Sequence, residues 1–322
     1  MSTKTSKLSL VVPCYNEEET IDSFYQTICP LLNPLAYEIE FIFVDDGSTD
    51  QTSVKLDALC EQDLRVKRIT LSRNFGKEGA LLAGLEATSG DAVIVMDIDL
   101  QDPPELIPQM VAYFEQGFDH IYTRRRNRKG EPVIRSWFAN LFYKLMNRIS
   151  EVEMVNGMRD YRLLSRQAVE ELLRLKETNR FSKGLFQWIG FGGVCLEFDH
   201  VERVAGQTKW SFFKLLNYAI EGITSFSNAP LRLSVYSGIL VALTAFAYLL
   251  YIVYDTTIHG NPTAGWSSMV CVTLFLGGIQ LICLGVVGEY VGRIYSEVKQ
   301  RPPYIVKERS NFEEPIKKNA LN

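Results

Sequence analysis

The chain has 322 residues, enough for one large domain with an appendage or for two modest ones. Apolar residues make up 47% and charged residues 22%, the balance of an ordinary globular protein rather than of a disordered one. The formal net charge of −4 excludes the global basic field by which a protein binds nucleic acid.

The chain opens Met-Ser-Thr-Lys and runs straight into an apolar strand over residues 8–12, so no cleavable signal peptide is expected. Residues 8–13, 39–45, 66–71 and 92–97 read as buried strands, being short, rich in Val and Ile and closed by turn residues. Helices are predicted between them at 17–32, 52–62 and 76–87, the first capped by Asn16 with Glu19 reaching back. Strand–helix alternation of this kind predicts an α/β fold with a mostly parallel sheet and helices on both faces. Ligands of such sheets bind beyond the carboxyl ends of the strands.

Residues 119–200 are less regular. A basic stretch at 124–129 precedes a predicted helix at 134–149, and another helix is expected at 166–176. Residues 210–227 read as an amphipathic helix, with Phe213, Leu216, Ile220 and Ile223 on one face and Ser211, Lys214, Asn217 and Glu221 on another. That helix either faces a core or lies in a membrane interface, and its continuity with the apolar segments favours the interface.

Two membrane spans follow. Residues 233–254 carry no Asp, Glu, Lys or Arg, and 22 residues of helix are about 33 Å long, against a hydrocarbon core of roughly 30 Å. The second span is predicted at 269–288. Arg232 flanks the first, Arg293, Lys299 and Arg301 follow the second, and the loop between them has no Lys or Arg, which predicts cytoplasmic termini. The domains expected are therefore a cytoplasmic unit at 1–209, an interfacial helix and linker at 210–231, a hairpin at 232–295 and a cytoplasmic tail at 296–322. The six cysteines form no Cys-x-x-Cys and two lie in the apolar segments, so neither a disulfide nor a zinc framework is expected.

The chemistry-bearing motifs sit at strand ends. Met96-Asp97-Ile98-Asp99-Leu100-Gln101-Asp102-Pro103-Pro104 follows the fourth strand, where Asp97, Asp99 and Gln101 alternate and can share one site. Such hard oxygen ligands suit Mg²⁺ or Mn²⁺ with positions left open for phosphate oxygens. Pro13-Cys14-Tyr15-Asn16-Glu17 and Asp45-Asp46-Gly47-Ser48 end the first two strands; there a carboxylate can accept from a base or a ribose, Tyr15 offers a ring face, and a capped turn is the structural alternative. No Gly-x-Gly-x-x-Gly follows the first strand and no Gly-Lys-Ser/Thr loop occurs, which disfavours a dinucleotide enzyme or a P-loop NTPase.

Together with Ser72-Arg73-Asn74-Phe75-Gly76-Lys77, Arg159-Asp160-Tyr161-Arg162, Gly206-Gln207-Thr208-Lys209-Trp210 and Gly288-Glu289-Tyr290-Val291-Gly292-Arg293, these motifs resemble the family-2 glycosyltransferases of GT-A fold. The likeness covers nearly the whole chain and is closer to the polyprenyl-phosphate branch, that of bactoprenol glucosyltransferases and dolichol-phosphate mannose synthases. It implies a nucleotide-sugar site of Pro13, Tyr15, Asn16, Glu17, Asp45 and Asp46, with Arg73 and Lys77 as phosphate or sugar contacts. It also implies metal and diphosphate binding by Asp97, Asp99 and Gln101, catalysis involving Asp99, and inversion at the anomeric carbon. The implied reaction moves a hexose, most readily glucose from UDP-glucose, to undecaprenyl phosphate at the cytoplasmic face of a bacterial inner membrane. The implied assembly is a homo-oligomer, taken as a tetramer, and the small residues of the second span (Gly277, Gly278, Gly285, Gly288, Gly292) permit close helix contact.

A polyprenyl phosphate is already an oxyanion near neutral pH, its second pKa being about 6, so it needs cationic positioning more than a base. Arg125, Arg128, Arg135 and Lys209 are the candidate acceptor-phosphate ligands. Asp160 could orient the acceptor, act as a base, or form an ion pair with Arg162. Phe186-Gln187-Trp188 lacks the arginine of the processive Gln-x-x-Arg-Trp motif, and two spans cannot form a polymer channel, so single transfer is expected. Other donors (GDP-mannose, UDP-GlcNAc, UDP-amino-arabinose), a sugar or diacylglycerol acceptor, and a non-enzymatic scaffold remain the alternatives.

Overall fold

The computed structural model describes residues 6–126, 148, 157–199, 227, 229–259 and 265–312. Four buried, β-branched runs form the predicted strands: β1 (Lys7–Cys14), β2 (Glu38–Asp45), β3 (Val66–Leu71) and β4 (Ala92–Val95). They pair in parallel in the order β4-β1-β2-β3. Four more strands extend this core: β5 (His120–Arg125), β6 (Met158–Ser165), β7 (Gly193–Phe198) and β8 (Val306–Ser310). The finished sheet runs β7-β5-β6-β4-β1-β2-β3-β8, with β6 antiparallel to both its neighbours and β8 antiparallel to β3.

Helices cover both faces, as strands buried on both sides require. On one face lie α1 (Ile21–Leu32), α2 (Thr52–Gln62) and α4 (Ile107–Glu115), which bury Phe24, Ile28, Leu56 and Met110 against Leu10, Phe41 and Phe43. On the other lie α3 (Lys77–Glu86), α5 (Arg166–Arg174) and α6 (Ser182–Trp188), packing Leu81, Leu85, Val169 and Phe186 on Val11 and Val93. Gly84 lets α3 press on β1, because a Cβ there would stand 2.3 Å from Val11 Cγ1.

Two local expectations are corrected. The first helix begins at Ile21 with Thr20 before it, not at residue 17, and Asn16 does not cap it. Asn16 instead takes a left-handed φ of 54° and binds the loop after β2, which holds residues 16–18 out of the helix. The segment expected as a cytoplasmic tail, 296–322, carries β8, which joins the sheet beside β3. The expected helices at 134–149 and 210–227 lie outside the described residues apart from Arg148 and Ser227.

The C-terminal apolar segments form α7 (Ala229–His259) and α8 (Trp266–Val298), of 31 and 33 residues, both longer than the predicted spans. Their membrane-length windows, Ala229–Tyr248 and Phe275–Val298, are not buried inside the protein. Leu233, Leu240, Leu281 and Ile282 among others stand exposed, as they would against lipid rather than in a soluble core.

Candidate active site

The loops after β1 and β2 are stitched into one wall by backbone amides. Asn16 N–H donates to Ser48 Oγ, Thr49 N–H to Asn16 Oδ1, Glu17 N–H to Thr52 Oγ1 and Gln51 N–H to Glu18 Oε2, all at 2.8–2.9 Å. Asp45, buried at the end of β2, accepts from Ser48 N–H at 2.9 Å, a carboxylate closing its own turn. Gly47 follows with φ of 68°, and a Cβ there would lie 2.5 Å from the Arg73 carbonyl carbon, so the close approach of the third loop demands glycine.

Asp46 braces that third loop, its two oxygens accepting from Phe75 N–H at 2.7 Å and Gly76 N–H at 2.8 Å. Burial raises its pKa despite those two donors. Asp46 is thus a structural clamp in this conformation, while Asp45 is buried, Pro13 is partly buried and the Tyr15 ring is exposed. Arg73 is exposed, lies 4.0 Å over the Phe75 ring and donates to the Asn74 carbonyl at 2.8 Å.

The carboxylates meet because of sheet register. The antiparallel β4–β6 ladder pairs Val95 with Arg162, and continuing it past the strand end sets Asp97 across from Asp160. Lys77, the first residue of α3, reaches between them, its Nζ 2.6 Å from Asp97 Oδ1 and 2.6 Å from Asp160 Oδ2. Burial pulls the Lys77 pKa down, but Asp160 and then Asp97 outweigh it and hold the ammonium above its ordinary value. Burial likewise raises Asp160, and Lys77, Lys183 and Arg162 more than reverse it, leaving the carboxyl well below the usual range. The side chains are 42%, 25% and 17% exposed for Lys77, Asp97 and Asp160, so solvent screens part of this attraction.

Asp160 makes no side-chain pair with Arg162. The fully buried Arg162 instead donates Nε to the Asp160 carbonyl at 3.1 Å and Nη2 to the Arg159 carbonyl at 2.7 Å. Its guanidinium lies 3.7 Å over Phe186 and 3.3 Å from His120 Nε2. Burial, with Arg162 second, pushes the His120 pKa down to about 3 and keeps it neutral, so the ring can accept that bond.

In the turn after β4, Asp99 Oδ1 accepts from Gln101 N–H at 3.1 Å and Leu100 has a left-handed φ of 53°. Asp102 in the same turn is buried and bonded to Arg159 Nε at 2.7 Å. Glu78, beside Lys77, accepts from the Ser182 amide and hydroxyl and ties α6 to α3.

Of the acceptor-phosphate candidates, Arg125 lies at the end of β5 and is partly buried. Its neighbours Arg124 and Arg126 both bind Glu197 on β7, at 2.8 and 3.2 Å. Arg128, Arg135 and Lys209 lie outside the described residues. The structure therefore gathers Asp97, Asp160 and Lys77, and places the Asp45 wall and the Asp99–Asp102 turn at the same sheet edge. Sequence reasoning missed the Arg159–Asp102 and Glu78–Ser182 contacts. Both lie in or beside quoted motifs, but each links residues more than fifty positions apart.

Residues 9–173 match the family model "Glycosyl transferase family 2", and residues 229–294 match "GtrB C-terminal hairpin". A bactoprenol glucosyl transferase of Shigella phage SfX is 46% identical over 94% of this chain and 99% of its own length. The prophage bactoprenol glucosyl transferase homolog of Escherichia coli is 45% identical, covering 94% and 98%. The putative glycosyltransferase CsbB of Bacillus subtilis is 43% identical, covering 95% and 92%.

Proposed function

Since the chain belongs to glycosyl transferase family 2 and carries a GtrB-type C-terminal hairpin, we propose that it transfers glucose from UDP-glucose to undecaprenyl phosphate at the cytoplasmic face of a bacterial membrane. The observation that carries this reading is the full-length likeness to bactoprenol glucosyl transferases, catalytic domain and hairpin together. The site supports it: a nucleoside wall and a carboxylate turn meet at one sheet edge, and the chain continues into two lipid-length helices.

In this reading Tyr15, Asp45 and the knitted loops hold the nucleoside, and Arg73 and Gln101 face the diphosphate. Asp97 and Asp99 suit Mg²⁺ or Mn²⁺ by the chemistry of their hard oxygen donors. Among the described residues no three His, Cys, Asp or Glu form a group that could hold such an ion by themselves. Bound there, the ion would supply charge neutralisation for the departing diphosphate. The acceptor phosphate oxygen attacks the anomeric carbon as the bond to the diphosphate oxygen breaks, with inversion. Because that oxygen is already anionic, Asp160 serves to position Lys77 and the acceptor rather than to remove a proton.

Arg125, with Arg128, Arg135 and Lys209, supplies the cationic surface for the acceptor phosphate beside the membrane. The cytoplasmic placement of both hairpin ends rests on their arginines and lysines and on β8, which returns the chain from α8 to the catalytic sheet. Self-association, taken as a tetramer, would use the open glycine face of α8 at Gly278, Gly285 and Gly292.

The test offers the purified full-length chain undecaprenyl phosphate with labelled UDP-glucose, UDP-GlcNAc, UDP-amino-arabinose and GDP-mannose. Label from UDP-glucose is expected in a lipid product released by mild acid, with turnover abolished by EDTA. Preferential transfer from another donor, or an acid-stable glycoside, would overturn the assignment, and full turnover in EDTA would remove the metal from it.

A further inference from the structure

Asp102 is an unusual residue to find with no solvent exposure, because a buried carboxylate must be answered by charge and hydrogen bonds. Its answer is incomplete. Arg159 Nε meets Oδ1 at 2.7 Å, while Oδ2 is buried and has no hydrogen-bond partner. An arginine that neutralises a carboxylate frequently meets it fork to fork, with two parallel N–H···O bonds. Arg159 offers only its Nε edge.

Among the described residues its two Nη groups make no hydrogen bond. The side chain is 26% exposed. Its position is set by β6, one residue before Asp160, and it feels the charges of Asp97 and Asp160 after that of Asp102. A guanidinium is thus pinned at one edge and left with two parallel donors beside the carboxylate cluster. That is the geometry in which arginine receives a phosphate.

We infer that Arg159 is a phosphate-binding residue of the active site, held through Nε by the positioning residue Asp102 and presenting both Nη groups to a phosphate oxyanion. The oxyanion is either the donor's diphosphate or the acceptor's phosphate. This assignment rests on the transferase reading above.

The test compares the full-length wild type with Arg159→Gln and Arg159→Lys, the second keeping a cation beside Asp102 but losing the fork. KM is measured separately for UDP-glucose and undecaprenyl phosphate, and UDP binding by calorimetry. One of the two KM values is expected to rise roughly tenfold or more, the loss of hydrogen bonds to a charged group. A rise in the donor KM with weakened UDP binding assigns Arg159 to the diphosphate; a rise in the acceptor KM with UDP binding intact assigns it to the lipid phosphate. Both constants within about twofold of wild type, in either variant that keeps the wild-type melting profile, overturn the proposal. Should Arg159→Gln fail to fold, Arg159→Lys is read alone. A wild type that leaves undecaprenyl phosphate unglucosylated speaks against the transferase reading itself and takes this assignment down with it. Normal turnover by the wild type with unchanged constants in the variants speaks against Arg159 only.

Discussion

Lys77 stands between Asp97 and Asp160, and Glu40 between Lys7 and Lys67, yet the two clusters do opposite work. Around Glu40 the hydrogen-bonding capacity is used up: Ser9 Oγ and Ser89 N–H donate to one carboxylate oxygen, and the lysines meet the other at 2.8 and 3.1 Å. Among the described residues Asp97 and Asp160 have Lys77 as their only side-chain partner, which suits groups that must change partners when substrate arrives. Burial raises the Glu40 pKa, but Lys67, Ser9 and the Ser89 amide outweigh it and bring it from 4.5 to about 2. A carboxyl depressed on folding stabilises the native state above its unfolded value, and that contribution fades as pH falls from about 4.5 toward 2. Glu40→Gln is therefore expected to cost about 1–3 kcal/mol at neutral pH, the cost of weakened bonds to a buried charge. The deficit should shrink on acidification. Denaturant unfolding at neutral and acid pH checks it, and an equal deficit at both would sink the argument.

β8 shows how an element with little local signal can still matter. Its Val-Lys-Glu-Arg-Ser sequence has no apolar alternation, but docking on β3 covers an edge that would otherwise offer unpaired backbone. Arg68, buried on β3, answers Glu308 at 2.9 Å and Asp57 at 2.8 Å. Asn311 Nδ2 donates to the carbonyls of Cys60 and Val66 at 2.7 and 2.8 Å, closing the loop between α2 and β3. Just before the strand, the Ile305 carbonyl accepts from Ser72 N–H at 2.9 Å, one residue before Arg73. Asn311→Ala is expected to lower stability by about 1–2 kcal/mol by leaving two carbonyls unanswered. An unchanged denaturant midpoint would show that water replaces the amide at no cost.

At the scale of the molecule, the hairpin is tied to the catalytic domain where α8 ends. At 1.5 Å per residue α7 and α8 are roughly 46 and 50 Å long, more than a hydrocarbon core of about 30 Å, so their ends extend beyond it. Near the end of α8, Glu297 accepts from Thr178 N–H at 2.8 Å, and Tyr290 donates to the Ser227 carbonyl at 2.6 Å. The chain then returns as β8. Cutting after residue 228 would thus remove an edge strand as well as an anchor. The shortened protein is expected to unfold at lower denaturant than one in which a flexible linker replaces 229–298 and residues 299–312 are kept. Neither should glucosylate lipid in vesicles. Equal stability of the two would mean that β8 contributes nothing to the sheet.

Repeating local patterns made much of this protein legible before folding. The runs that became β1 to β4, the helices at 52–62 and 77–86, and both spans are written in the spacing of apolar residues, and the strand-end motifs lie at one edge of the sheet. The cap assigned to Asn16 failed because a loop from elsewhere in the chain captured that residue. Lys77 against Asp160 and Arg159 against Asp102, 83 and 57 residues apart, had no sequence signal, since they depend on which strands lie side by side and in what direction. The sequence by itself determined an α/β domain with a membrane hairpin, because burial periodicity and charge-free length act over a few residues. Tertiary structure alone decided which cation meets which carboxylate and where the C-terminal strand goes, because both follow from the order and register of the sheet.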